Sequence, residues 1–168
     1  ALRVLIRYAK VVASSPTDTR YLDVARAHID GCTYIGSGGL EFVQRLERAG
    51  GQVKIPTTLN SVSADRRQWQ ALGVPKERAL ASIAVGDAYL ALGCDECSFT
   101  CAPYLLNDPP KLGQDIVWGE SNAVVYANSV LGARTEKYAD YIDICCALVG
   151  KVPADGVHLD ENRKPRIV

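Results

Sequence analysis

The chain has 168 residues, 48% of them apolar and 23% charged, which is enough for one domain with a buried core. Nineteen basic residues balance nineteen acidic ones, so no net positive field favours nucleic acid or an anionic membrane. No apolar run reaches the roughly 18 residues that a membrane span needs.

In chain order, the first thirteen residues read as an amphipathic helix. Arg3, Arg7 and Lys10 interrupt its apolar run about one turn apart, unlike a signal peptide. VARAHI (24–29) reads as a buried strand running into the loop DGCTYIGSGG (30–39). A helix over 40–50 follows, with Phe42, Val43, Leu46 and Ala49 on one face. QVKIP (52–56) is the next expected strand, ending at TTLNS (57–61). Asp65 is placed to cap a helix carrying Trp69 and Leu72. Residues 77–93 read as a strong helix stopped by Gly93. DIVWG (115–119) is a short strand, and helices are expected over 121–133 and 136–150, before a polar, turn-rich tail. Short strands alternating with longer helices give an α/β fold. In open α/β sheets, ligands bind where strands end.

Six cysteines stand at positions 32, 94, 97, 101, 145 and 146. Without a secretory signal, reduced thiols or a metal site are expected rather than disulfides, and a cytoplasmic location with them. The run GCDECSFTCAPY holds Cys94, Cys97 and Cys101 in a C-x2-C-x3-C spacing. The next cysteines, Cys145 and Cys146, are adjacent on an expected helix and point about 100° apart, so a four-cysteine zinc ribbon is a poor fit. The bland reading of each single cysteine is a small buried hydrophobe, and it is favoured for Cys94, Cys97 and Cys146. The loop GSGG (36–39) precedes a helix but lacks the Lys of a phosphate loop, a weak nucleotide signal. His28 and His158 are far apart and read as structural. The chain has no Met, even at position 1, and is expected to be a processed subunit or a fragment.

The segment WGESNAVVYANSVLGART (118–135) is dense in polar groups that suit a helix interior poorly. Val124, Val125, Tyr126 and Val130 between them argue that much of it is buried, so its polar groups need partners. Substrate contacts are one candidate, a solvated face the other. Arg134 has the planar fork that suits a carboxylate.

That segment, with AHIDGCTYIG (27–36), KIPTTLNSVSADRRQW (54–69), TCAPYLL (100–106), DICCALVG (143–150) and HLDENR (158–163), resembles the aconitase X family of the aconitase superfamily. The resemblance covers nearly the whole chain. It implies an aconitase-like, three-layer α/β domain with a mainly parallel sheet, residues 1–168 being part of the family's catalytic body without its swivel domain. It implies a dehydratase that uses an iron–sulfur cluster, of 2Fe–2S or 4Fe–4S type, or mononuclear iron. PTTLNSVSADRRQW looks more like the branch acting on cis-3-hydroxy-L-proline, giving Δ1-pyrroline-2-carboxylate, than the branch acting on (R)-mevalonate 5-phosphate. By motif position, Cys101 and, less directly, Cys145 correspond to metal ligands; the family usually shows one cysteine where this chain has Cys145 and Cys146. A third ligand, the catalytic base and a swivel domain or small subunit would come from elsewhere. Asp30, Thr33, Asn60, Glu120, Ser121, Asn122 and Arg134 are the expected substrate pocket, with Arg134 as carboxylate clamp. The expected partners are a small hydroxy or imino acid and the remaining catalytic portion. A metal-free, partner-binding scaffold is the rival from another class.

Overall fold

The computed structural model describes residues 1–12 and 19–164; residue 13 of the expected first helix and residues 165–168 of the tail lie outside them. Three parallel strands form the central sheet: β2 (Ala27–Ile29) in the middle, β3 (Thr57–Leu59) on one side and β4 (Val117–Trp118) on the other. A second, antiparallel pair joins β1 (Tyr21–Asp23) to β5 (Lys151–Pro153). The helices are α1 (Leu2–Val12), α2 (Ser37–Arg48), α3 (Lys76–Ala91), α4 (Ser121–Tyr126) and α5 (Ile142–Val149). The α/β reading therefore stands, with strands β2, β3 and β4 linked by helical crossovers as parallel pairing demands.

The two faces of the sheet are covered differently. Ile29, Leu59 and Val117 join the main core with Val43, Val85, Tyr89, Ile144, Cys146 and Ala147 from α2, α3 and α5. Trp118 packs instead with Ile116, Ala123, Ala127 and Ala133 around α4. In α1, Leu5 and Ala9 are the buried positions, one turn apart, and the helix lies on α5.

Several boundaries differ from the sequence reading, each for a local reason. The strand expected over 52–56 is an irregular, bent segment in which two N–H groups bond to helices, Val53 to Leu92 O and Lys54 to Ala147 O. Pairing starts only after Pro56, which has no N–H to donate. The strand expected over 24–29 begins at Ala27, since Val24 and Ala25 bond elsewhere. Asp65 does cap, accepting from the N–H of Arg67 and Gln68 at 2.7 Å, but only isolated turns follow up to Gly73. The helix expected from 136 starts at Ile142, because Tyr141 takes a left-handed φ of 70° and breaks the run. The helix expected over 121–133 stays α-helical only to Tyr126, then widens into a π turn over Ala127–Leu131 and stops at Gly132, φ 68°.

Candidate functional site

Each strand of the parallel sheet ends on a polar residue. Asp30 follows β2, Asn60 follows β3, and Gly119 and Glu120 follow β4. The strand register brings them side by side. The Asn60 amide donates 2.8 Å to Asp30 Oδ1 and 2.6 Å to Glu120 Oε2, so one amide separates two carboxylates. Its own carbonyl accepts from Ser61 N, and Glu120 Oε1 accepts from Ser121 N at 3.0 Å, capping α4. Lys137 completes the cluster, donating 2.9 Å to Asp30 Oδ2 and also to Gly119 O.

Beneath the cluster lies Asp143, fully buried at the start of α5. Its Oδ2 accepts from Asp30 N at 2.8 Å and its Oδ1 from Ile144 N at 2.7 Å. Burial pushes its carboxyl up to about 7, against the pull of those two N–H groups. Burial would also raise Asp30, but hydrogen bonds from Lys137 and Asn60 and the lysine's charge outweigh it and hold Asp30 below its ordinary value. Space is tight here: a Cβ on Gly119 would stand 2.7 Å from Asp30 Cβ and 3.3 Å from Asp143 Oδ2. Neighbouring His28 is fully buried, bonded through Nδ1 to Thr58 Oγ1 at 2.8 Å, and burial lowers it to about 4, so its imidazole is neutral at pH 7.

Cys101 reaches the same edge of the sheet by another route. Phe99 bridges Leu59, and Thr100 N donates to Leu59 O at 2.9 Å, laying this loop along the end of β3. Asn122 on α4 then donates to Cys101 O at 3.0 Å and to Tyr104 Oη at 3.3 Å, and Tyr104 stacks on Tyr126 with centroids 4.2 Å apart. The Cys101 residue is exposed.

Of the other expected site residues, Ser121 joins this cluster through its backbone N–H on Glu120 Oε1, whereas Arg134 does not. Arg134 bridges Asp115 at the opposite end of β4. Its guanidinium is taken by Asp160 Oδ1 at 2.5 Å and His158 O at 2.8 Å. Thr33 is exposed and lines an open hollow of about 760 Å³ with Tyr34, Gly36 and Arg78. Ser121 is exposed at the first turn of α4. Cys145 is fully buried on α5, and burial pushes its thiol up to about 11. Cys94 is buried and pushed up to about 12, Cys146 is buried in the main core, and Cys97 is exposed. The side chains of Glu120, Asn122, Asn128, Arg134 and Thr135 in the 118–135 segment find partners within the chain. Asn128 holds the π turn by donating to Val124 O and Thr135 O and accepting from Thr135 N and Arg163 Nη1. Val125 and Val130, read as buried, are 64% and 63% exposed.

As a metal site the described residues offer little by themselves. No three of their His, Cys, Asp and Glu side chains gather where one ion could sit. Cys101 stands as a single exposed thiol beside the strand ends, whereas Cys145 is enclosed on α5.

Residues 1–161 match the family model described as aconitase X first domain. The chain belongs to the aconitase X family. The fold of this aconitase X chain superposes on the crystal structure of Thermococcus kodakaraensis aconitase X (holo-form) with a TM-score of 0.84 and 34% identity, covering 97% of this chain and 39% of that one. It is 50% identical over its whole length to a cis-3-hydroxy-L-proline dehydratase of Pseudomonas aeruginosa and 46% identical over 97% of its length to one from Hypocrea jecorina. It is 40% identical over 86% of its length to the phosphomevalonate dehydratase large subunit of Methanothermobacter thermautotrophicus. The chain spans 28%, 26% and 37% of those three relatives. No helix among the described residues is long and apolar enough to cross a membrane.

Lys137 and Asp143 escape the sequence reading. Both fall in the stretch read as one helix over 136–150, which the left-handed φ at Tyr141 breaks. Asp143 opens the family-like segment DICCALVG, a signal that could have singled it out.

Proposed function

We propose that this chain is the first-domain portion of a dehydratase that removes water from cis-3-hydroxy-L-proline to give Δ1-pyrroline-2-carboxylate. The observation that carries the reading is the 50% identity to the Pseudomonas aeruginosa dehydratase across all 168 residues, against 40% for the phosphomevalonate dehydratase large subunit. The strand-end crevice supports it chemically. Elimination of water needs a site that orients a small polar substrate and handles a proton at the neighbouring carbon. Asn60 fixes the spacing of Asp30 and Glu120, so both carboxylates meet a substrate in one orientation. Their charge suits a secondary ammonium group. Asp143 anchors the Asp30 backbone from below, and Asn122 anchors the loop of Cys101.

Cys101 is the residue on this chain that would hold an iron–sulfur cluster, with the remaining ligands and the proton-accepting base contributed from outside it. When bound, such a cluster supplies a Lewis acid for the leaving hydroxyl. The remaining catalytic portion, in the same polypeptide or a second subunit, is the expected partner, and the cytoplasm the expected setting. The test is turnover by the full-length protein containing this sequence. We expect cis-3-hydroxy-L-proline to be dehydrated at least tenfold more efficiently, by kcat/KM, than (R)-mevalonate 5-phosphate. The reverse order would overturn the substrate.

A further inference from the structure

We propose that Lys137, not Arg134, is the group that binds the substrate's carboxylate in this crevice. The assignment rests on the crevice being the reacting site, and it names the anion-binding residue within it.

A carboxylate held at the strand ends needs a cation within reach there. The Arg134 guanidinium lies toward the opposite end of β4, closed off by Asp160 and the His158 carbonyl. Arg26 is paired with Asp108, and Arg66 with Asp87, over the Phe99 ring. Lys137 alone among the described cations is bonded to the strand ends themselves, to Asp30 and to Gly119 O. An ammonium has three donors. Two are spent on those acceptors, and the side chain is 48% exposed, so the third is open to an incoming ligand. The two contacts fix the ammonium at the strand ends, whereas the Arg134 guanidinium is held at the other end of β4 by Asp160 and the His158 carbonyl. A carboxylate docked on Lys137 lies next to Asp30, with Glu120 one amide away across Asn60. That order sets the substrate's negative end on the lysine and its remaining groups over the two acids.

Both rival substrates carry a carboxylate, so the test does not depend on which is correct. In the full-length protein, Lys137→Ala is expected to raise KM for whichever substrate is turned over by about 10- to 100-fold, the loss typical of a charge-assisted hydrogen bond, while kcat falls by less. Lys137→Gln keeps a donor for Asp30 and so guards against simple misfolding; it should raise KM similarly, whereas Lys137→Arg should recover most of the loss. L-proline should compete more strongly than L-prolinamide in the wild type, and equally in Lys137→Ala. A KM within twofold of wild type in both the Ala and Gln variants overturns the assignment of the lysine alone. Turnover of neither substrate by the wild type overturns the functional reading, and this assignment with it.

Discussion

The Asp143 carboxylate accepts a 2.8 Å hydrogen bond from the backbone N–H of Asp30, across 113 residues of sequence. It is a fully buried acid whose two oxygens are both used to hold main chain. Replacement by Asn turns one of those acceptors into a donor facing an N–H. We expect Asp143→Asn to destabilise the chain by about 1–3 kcal/mol, the cost of a buried unpaired group, and urea denaturation reads this directly.

The same residue gives a pH signature. Its folded value, about 7, lies above the ordinary carboxylate value of 3.8, so the native state holds a proton that the unfolded chain has released. Its contribution to stability is therefore complete below about pH 4 and is lost as pH rises through 7. Urea midpoints of wild type and Asp143→Asn should converge between pH 5 and pH 8, as the wild type loses what the variant never had. A gap that widens over that range contradicts the raised value.

Gly119 leaves room for the Asp30–Asp143 contact by having no side chain. A Cβ would press on Asp30 Cβ at 2.7 Å, so Gly119→Ala should cost roughly 1–3 kcal/mol through overpacking. Gly38→Ala is the control, since a Cβ there meets nothing within 4 Å. Thermal melts of the two variants should differ clearly, with Gly38→Ala close to wild type.

Asn60 is the spacer between two acids. Asn60→Ala removes both donations and leaves Asp30 and Glu120 facing each other. Asn60→Asp adds a third carboxylate and should be the more damaging, by roughly 1 kcal/mol or more at low ionic strength. Denaturation at two salt concentrations separates the cases: added salt should narrow the gap between them.

Cys101 and Cys145 make opposite predictions. In the full-length protein we expect Cys101→Ser to lose bound iron and acid-labile sulfide, and Cys145→Ser to retain both, because Cys101 is exposed beside the strand ends whereas Cys145 is fully buried on α5. Iron retained in Cys101→Ser, or lost only in Cys145→Ser, would reverse the assignment.

How far the sequence discloses the site depends on distance along the chain. Asp30, Asn60 and Glu120 enter the expected pocket through the family resemblance, and all three follow strands, where α/β sheets bind ligands. The spacer role of Asn60 does not show, since it depends on the register of three strands. Arg134 has the right chemistry for a clamp, but its position is set by the bridge to Asp115, and its partner Asp160 lies 26 residues on. Asn128 looks costly in a helix until the π turn is seen, where it joins Val124, Thr135 and Arg163. The third strand shifts from 52–56 to Thr57–Leu59 because Pro56 withholds an N–H and the preceding donors are claimed by helix ends. Local pattern gives the main helices and the parallel strands, but not the turns that replace the helix after Asp65, nor the β1–β5 pair, whose long-range bonds carry no local mark.

The four bonds that build the crevice join residues 30, 60, 107 and 113 positions apart. None can form from a neighbouring segment alone; each needs the parallel register of β2, β3 and β4 already in place. The crevice is therefore a property of the whole assembled sheet, so ligand protection should report on intact tertiary structure where helix content does not.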